Sequence, residues 1–156
     1  ATIITPNFTE ASFLLDEEYD TTISDQEIRD RLLRLSDMGP EIVIITSVPS
    51  RQSDNVSSVT AYNRNDHRFW RVNCTYIPAY YPGTGDAFAS VVLGGLLQGD
   101  SLPIALDRAV QFVTICIKAS FGYDIPRRDG VLLEKVLDNL KAPLTSITYE
   151  IAEQDE

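Results

Sequence analysis

The sequence predicts an α/β fold with a mixed sheet, parallel at its start and antiparallel further on. Three observations carry that expectation. Thr2-Ile3-Ile4-Thr5 and Glu41–Val48, with its core Ile42-Val43-Ile44-Ile45, are β-branched apolar runs without alternation. Strands buried on both faces of a parallel sheet read this way. Between them, residues 25–38 place Ile28, Leu32, Leu33 and Leu35 at helical spacing with charges opposite. After them, Val56–Tyr62 and His67–Tyr76 flank the turn Asn63-Arg64-Asn65-Asp66, the pattern of an antiparallel hairpin.

The bulk properties narrow the class. A chain of 156 residues, 44% of them hydrophobic, has enough material for one domain with a real core and too much apolar content for disorder. Its 23 acidic residues against 13 basic ones leave a net charge of −10. That argues against nucleic acid or an anionic membrane as the main partner. No apolar run is long enough to span a membrane, and none reads as a signal peptide. The two cysteines, Cys74 and Cys116, are far apart and lack metal-ligand spacing. Buried, reduced thiols in a cytoplasmic protein are the expectation. The single histidine, His67, follows a polar turn and reads as solvent-facing, which excludes histidine triads and histidine-rich metal sites.

Each element has its own signal. Thr2–Thr5 is a strand that needs neighbours, so a partial domain with its N-terminal half missing is expected. Thr5-Pro6 ends it. Asn7, with Glu10 three residues on, has the spacing of a capping box ahead of Ala11, Phe13, Leu14 and Leu15. Asp16–Asp20 is an acidic loop. Gly39-Pro40 stops the helix that begins at Asp25. Thr46-Ser47 closes the strand Glu41–Val48, where ligands of open α/β sheets bind, although a plain turn explains the pair equally well. Trp70 reads as core on one face of the hairpin. Gly83 onward opens an apolar helix that reads as buried on nearly every side and ends near Gln98-Gly99. Ser101 caps the next helix, with Pro103 in its first turn and an apolar course to about Ser120. Gly122–Gly130 is a loop whose Arg127-Arg128 reads as a solvated pair. Val131–Leu140 has the pattern of a third amphipathic helix, and Ser146–Ile151 that of a final strand. The tail Glu153–Glu156 is expected to be disordered.

The chemistry concentrates in Pro82-Gly83-Thr84-Gly85-Asp86-Ala87-Phe88-Ala89-Ser90. Two glycines let the backbone turn tightly and approach a ligand. The turn leads into a helix N-terminus, whose free N–H groups and positive dipole end favour an anion. Asp86 supplies a carboxylate in the first turn. A phosphate nest beside a carboxylate suits phosphoryl transfer to a hydroxyl. The stretch is not a P-loop, since no Gly-Lys-Ser/Thr follows. It is a poor dinucleotide fingerprint, because Phe88 stands where the third glycine belongs.

Gly83-Thr84-Gly85-Asp86 followed by small residues resembles the signature of the ribokinase-like superfamily. The longer string Pro78-Ala79-Tyr80-Tyr81-Pro82-Gly83-Thr84-Gly85-Asp86 is most similar to its vitamin B6 branch, the pyridoxal/pyridoxamine kinases. The resemblance extends to Thr5-Pro6-Asn7-Phe8-Thr9-Glu10-Ala11 and Ile44-Ile45-Thr46-Ser47, and covers the C-terminal half of a family member. It implies a three-layer α/β/α architecture, present here as a partial domain. It further implies MgATP with its γ-phosphate at the Gly83–Gly85 backbone, and Asp86 as general base for a primary hydroxyl. Thr84, Thr46 and Ser47 would touch phosphates, Asn7 and Glu10 would serve the Mg²⁺–phosphate cluster, and Thr5 would lie nearby. The implied substrate is a B6 vitamer, phosphorylated on its 5′-hydroxymethyl group.

The same resemblance keeps two other readings open. One is a hydroxymethylpyrimidine kinase of thiamine synthesis, a branch that usually carries cysteine where this chain has Asp86. The other is a non-catalytic nucleotide-binding or structural fragment. The 156 residues alone are expected to lack kinase activity. They are also expected to self-associate, as a homodimer or through the strand edge near Ile3 and Ile4.

Overall fold

The computed structural model describes residues 1–50, 56–75, 81–123, 130–144 and 147–152. They fall into two compact units, Ala1–Tyr76 with Glu150–Glu156, and Ile77–Tyr149. Pro78-Ala79-Tyr80, Arg127-Arg128, Ser146 and the tail Glu153–Glu156 lie outside the described residues.

The first unit contains β1 (Ile3–Ile4), α1 (Phe8–Leu14), α2 (Asp25–Asp37), β2 (Ile42–Pro49), β3 (Val56–Asn63) and β4 (Arg68–Thr75). With β5 (Tyr149–Ile151) the strands form one sheet in the order β1-β2-β3-β4-β5. β1 runs parallel to β2, and the β2–β3 and β3–β4 pairs are antiparallel, so the mixed sheet expected from the sequence is present. β1 stands at one end of this order, with Ile3 and Ile4 half-buried.

Register explains the burial. Val43 lies opposite Tyr62, and Tyr62 opposite Phe69. These residues join Ile45 and Val48 in a core with Phe8 and Ala11 of α1 and Ile28, Leu32 and Leu35 of α2. The alternate set, Ile44, Val59, Ala61, Trp70 and Val72, is buried too. Apolar residues pointing to both faces of the sheet are thus buried, as its unbroken apolar runs require.

Polar contacts fix the helices in this unit. Ser24 and Glu27 form a capping box at the start of α2. Arg64, from the hairpin turn, donates to the carbonyls of Ser36 and Pro40, a cation at the C-terminal end of that helix. The buried Arg31 pairs with Glu17 at 2.6 Å, donates to the Ser12 hydroxyl at 3.1 Å and stacks on the Phe8 ring at 4.9 Å. An unpaired charge there would be costly, and these three partners remove the cost. His67 is exposed in the turn, with its Nδ1 3.1 Å from the Tyr62 hydroxyl.

The second unit is built on α3 (Thr84–Leu97) and α4 (Leu102–Phe121). They meet closely at Gly95, where a Cβ would lie 3.1 Å from Asp100 Oδ2 and 3.3 Å from the Ala105 Cβ. Asp107 is fully buried in α4. Its side-chain oxygens accept from the Thr148 hydroxyl, the Thr148 N–H at 3.4 Å and the Gln111 amide at 3.2 Å, so the buried polar group is hydrogen-bonded. Cys116 is also fully buried, and burial pushes its thiol up to about 11. Cys74, expected to be buried, is only half-buried.

Two expectations are corrected here. Among the described residues α3 is not buried all round. It buries Phe88, Val91, Val92 and Gly95, while Leu93 and Leu97 are 51% and 79% exposed. Only the stripe at helical spacing meets packing partners. Nor is Val131–Leu140 an α-helix. It forms two 3-10 turns, Leu133–Lys135 and Leu137–Lys141. A short helix depends on packing an apolar face. Here only Val136 is buried, and Ser120 Oγ takes the Leu132 N–H at 2.9 Å. Among the described residues no helix is long and apolar enough to cross a membrane.

Candidate functional site

The predicted site residues fall into two groups, one in each unit. In the first unit, Thr5, Asn7 and Glu10 follow the end of β1 and run beside Thr46 and Ser47 of β2. Beyond Ile4 the chain stays beside β2: the Thr46 N–H donates to the Pro6 carbonyl at 3.0 Å, and Asn7 bridges Thr46 in parallel fashion. The capping box then closes in both directions. Asn7 Oδ1 accepts the Glu10 N–H at 2.8 Å, and Glu10 Oε2 accepts the Asn7 N–H at 2.8 Å. The cap reading of these two residues is realised. It leaves Glu10 exposed, with its second carboxylate oxygen free of that bond pair.

Thr46 and Ser47 occupy a β-bulge. The β2–β3 register shifts between Ile45, opposite Thr60, and Val48, opposite Ser58. One extra residue therefore lies on β2, and Ser47 takes a left-handed φ of 57°. This bulge is a site feature that reasoning from the sequence missed. Its signal is that Ile45 and Val48 share one core although they are three apart, whereas a regular strand alternates. Bulges re-aim side chains, and non-glycine residues with positive φ persist where the surroundings over-determine them. Thr46 is half-buried and Ser47 exposed; the strand, expected to close at this pair, continues through Val48 and Pro49, which still pair with β3.

In the second unit, Gly83, Thr84, Gly85 and Asp86 form a single helix start. Gly83 is the N-cap of α3 and has φ 85°, a conformation that disfavours any side chain. Among the described residues no side chain caps this helix. The first bond within it runs from the Ala87 N–H to the Gly83 carbonyl at 3.0 Å. Among the described residues a Cβ built at Gly83 or Gly85 would meet nothing within 4 Å, so none of them crowds this backbone. Asp86 is exposed in the first turn. The Thr84 hydroxyl donates to the Tyr81 carbonyl at 3.2 Å, and Tyr81 is buried. An open helix N-terminus with a carboxylate beside it can hold an anion and accept a proton from a neighbouring hydroxyl.

Among the described residues no cluster of three or more histidine, cysteine, aspartate or glutamate side chains could hold a metal by itself. Glu10 offers a single carboxylate. That matches Mg²⁺, which keeps several waters and binds through one or two carboxylates plus substrate phosphates.

Known proteins add a family to this geometry. A protein from Bacteroides thetaiotaomicron, provisionally named a phosphomethylpyrimidine kinase and crystallised in a form with pyridoxal, is 54% identical, with a TM-score of 0.91 over 97% of this chain and 53% of its own. The hydroxymethylpyrimidine/phosphomethylpyrimidine kinase of Mycobacterium tuberculosis is 27% identical over 78% of this chain and 42% of its own length. A pyridoxal kinase of Rubrobacter xylanophilus is 30% identical over 68% of this chain and 36% of its own. The pyridoxal kinase of Leishmania donovani, solved in complex with ADP, is 21% identical with a TM-score of 0.80 and shares the fold. The chain thus spans about half, or less, of the length of these relatives, and its fold is the ribokinase-like α/β fold. A model of the phosphomethylpyrimidine kinase family matches residues 1–127, a range that takes in both groups of site residues, and the chain belongs to that family.

Proposed function

We propose that this chain is the ATP-binding, C-terminal half of a kinase domain that phosphorylates the 5′-hydroxymethyl group of pyridoxal, pyridoxamine or pyridoxine. The observation that carries the reading is the uncapped start of α3, with Gly83 left-handed and Asp86 exposed in its first turn. The N–H groups of Thr84 and Gly85 receive the charge on the transferring γ-phosphoryl group. Asp86 takes the proton from the vitamer's hydroxyl as its oxygen bonds to phosphorus and ADP leaves. Thr46 and Ser47 offer hydroxyls to the phosphates, with Thr5 nearby. Asn7 and Glu10 would hold Mg²⁺ through one carboxylate oxygen and intervening water. When bound, the ion neutralises charge on the phosphates. The remaining half of the domain would supply the contacts to the vitamer.

A second reading, phosphorylation of hydroxymethylpyrimidine, draws support from the family description and the mycobacterial relative. Asp86 favours the vitamer, as do the relative crystallised with pyridoxal and the Rubrobacter pyridoxal kinase. A side-by-side assay of the full-length protein tests the choice, with pyridoxal expected as the better substrate. Strong preference for the pyrimidine overturns it. In the same assay Asp86→Asn should lower turnover by about 10²–10⁴-fold while ATP still binds. Turnover within a few-fold of wild type removes Asp86 as the base.

A further inference from the structure

We propose that Gly130 is a positioning residue for the phosphate turn, acting on it through the carbonyl of Pro82. The inference rests on reading Gly83–Asp86 as the phosphate-binding turn. Gly130 has φ 82°, and a Cβ built on it would lie 3.1 Å from the Pro82 carbonyl oxygen. That contact is tighter than side chains ordinarily accept, and what it meets is backbone rather than a flexible side chain. The Pro82 carbonyl and the Gly83 N–H are the two ends of one rigid peptide plane. Displacing the oxygen therefore turns the N–H of Gly83 and the left-handed entry into α3.

Gly130 has little room to retreat. Two residues on, the Leu132 N–H donates to Ser120 Oγ at 2.9 Å. Ser120 is fully buried in α4 and donates in turn to the Cys116 carbonyl at 2.7 Å. α4 thus holds the chain at Leu132, two residues beyond Gly130, and Gly130 sets where the Pro82 carbonyl can stand. The neighbouring carbonyl, that of Tyr81, is held by the Thr84 hydroxyl at 3.2 Å. A threonine hydroxyl has one proton, and phosphate oxygens need donors. With its proton on Tyr81, the Thr84 side chain also positions the turn, which leaves its backbone N–H to meet the phosphate.

The test uses the full-length protein and two substitutions with matched backbone strain. Gly99 has φ 96° and open space where a Cβ would go, so Gly99→Ala introduces strain alone. Gly130→Ala introduces strain and the push on Pro82. Both should lower the melting temperature. Only Gly130→Ala should move the ¹⁵N amide resonances of Gly83 and Gly85, and only it should weaken binding of a non-hydrolysable ATP analogue, by about tenfold. Unmoved resonances in Gly130→Ala overturn the proposal. Should that variant not fold, Ser120→Ala, which releases Leu132, must move the same resonances, and their staying in place overturns it equally. The resonances need no ligand. A wild-type protein that binds no nucleotide therefore refutes the kinase reading while the shifts still decide the role of Gly130.

Discussion

Asn7 carries two roles that one pair of substitutions can separate. Its side chain accepts the Glu10 N–H at 2.8 Å, and α1 is only seven residues long. Such a short helix depends on its cap and on the burial of Phe8 and Ala11. Asn7→Ala deletes the acceptor and should cost about 1 kcal/mol of stability, a drop in melting temperature of roughly 2–4 °C for a domain of this size. Asn7→Ser keeps a capping oxygen, so its melting temperature should match wild type within about a degree, since good caps differ by only a few tenths of a kcal/mol. Serine has no side-chain amide to offer a hydrated ion or a phosphate. If Asn7 also serves the Mg²⁺–phosphate cluster, both variants should raise the KM for MgATP by about 10-fold or more, as lost outer-sphere partners of metals do. Calorimetry and steady-state kinetics on the full-length protein read the two effects separately. A wild-type melting temperature in Asn7→Ala refutes the cap. Wild-type kinetics in Asn7→Ser refute the phosphate role and leave Asn7 as a cap alone.

Two further outcomes follow from packing and burial. Gly95→Ala places a methyl 3.1 Å from Asp100 Oδ2 and 3.3 Å from the Ala105 Cβ, so it should destabilise by about 1–3 kcal/mol in denaturant titration; a neutral or stabilising result would show that α3 and α4 separate easily. Cys116 titrates at about 11 when folded against an ordinary value of 9.0. The unfolded chain therefore loses that proton first, and stability should fall as pH rises from about 9 to 11. Cys116→Ala should flatten this part of the pH profile, and an unchanged slope would assign the loss to other groups.

Local signals made most of the elements legible. The unbroken apolar runs marked strands buried on both faces, because one-sided strands alternate. Asn7 with Glu10 forms a capping box whose atoms all lie within four consecutive residues. The glycine that opens α3 was legible for the same reason: a left-handed φ at Gly83 is a local demand. Val131–Leu140 misled because helical spacing states only that a helix could form. Its failure lay in the absence of a surface to bury more than Val136.

What the tertiary structure alone decided are contacts between segments distant in sequence. The bulge at Thr46-Ser47 exists because Ile45 and Val48 must both reach the core under α1 and α2 while β3 pairs across from them. The Asp107 side chain can be buried because Thr148, 41 residues away, supplies two hydrogen-bond partners. Gly130 reads in the sequence as the end of a loop; its importance appears once Pro82 stands 3.1 Å from where its side chain would be. Composition and spacing specify what a residue can do within its own turn. Which backbone it is pressed against depends on how the whole chain closes its hydrogen bonds and fills its core, and no local pattern contains that information.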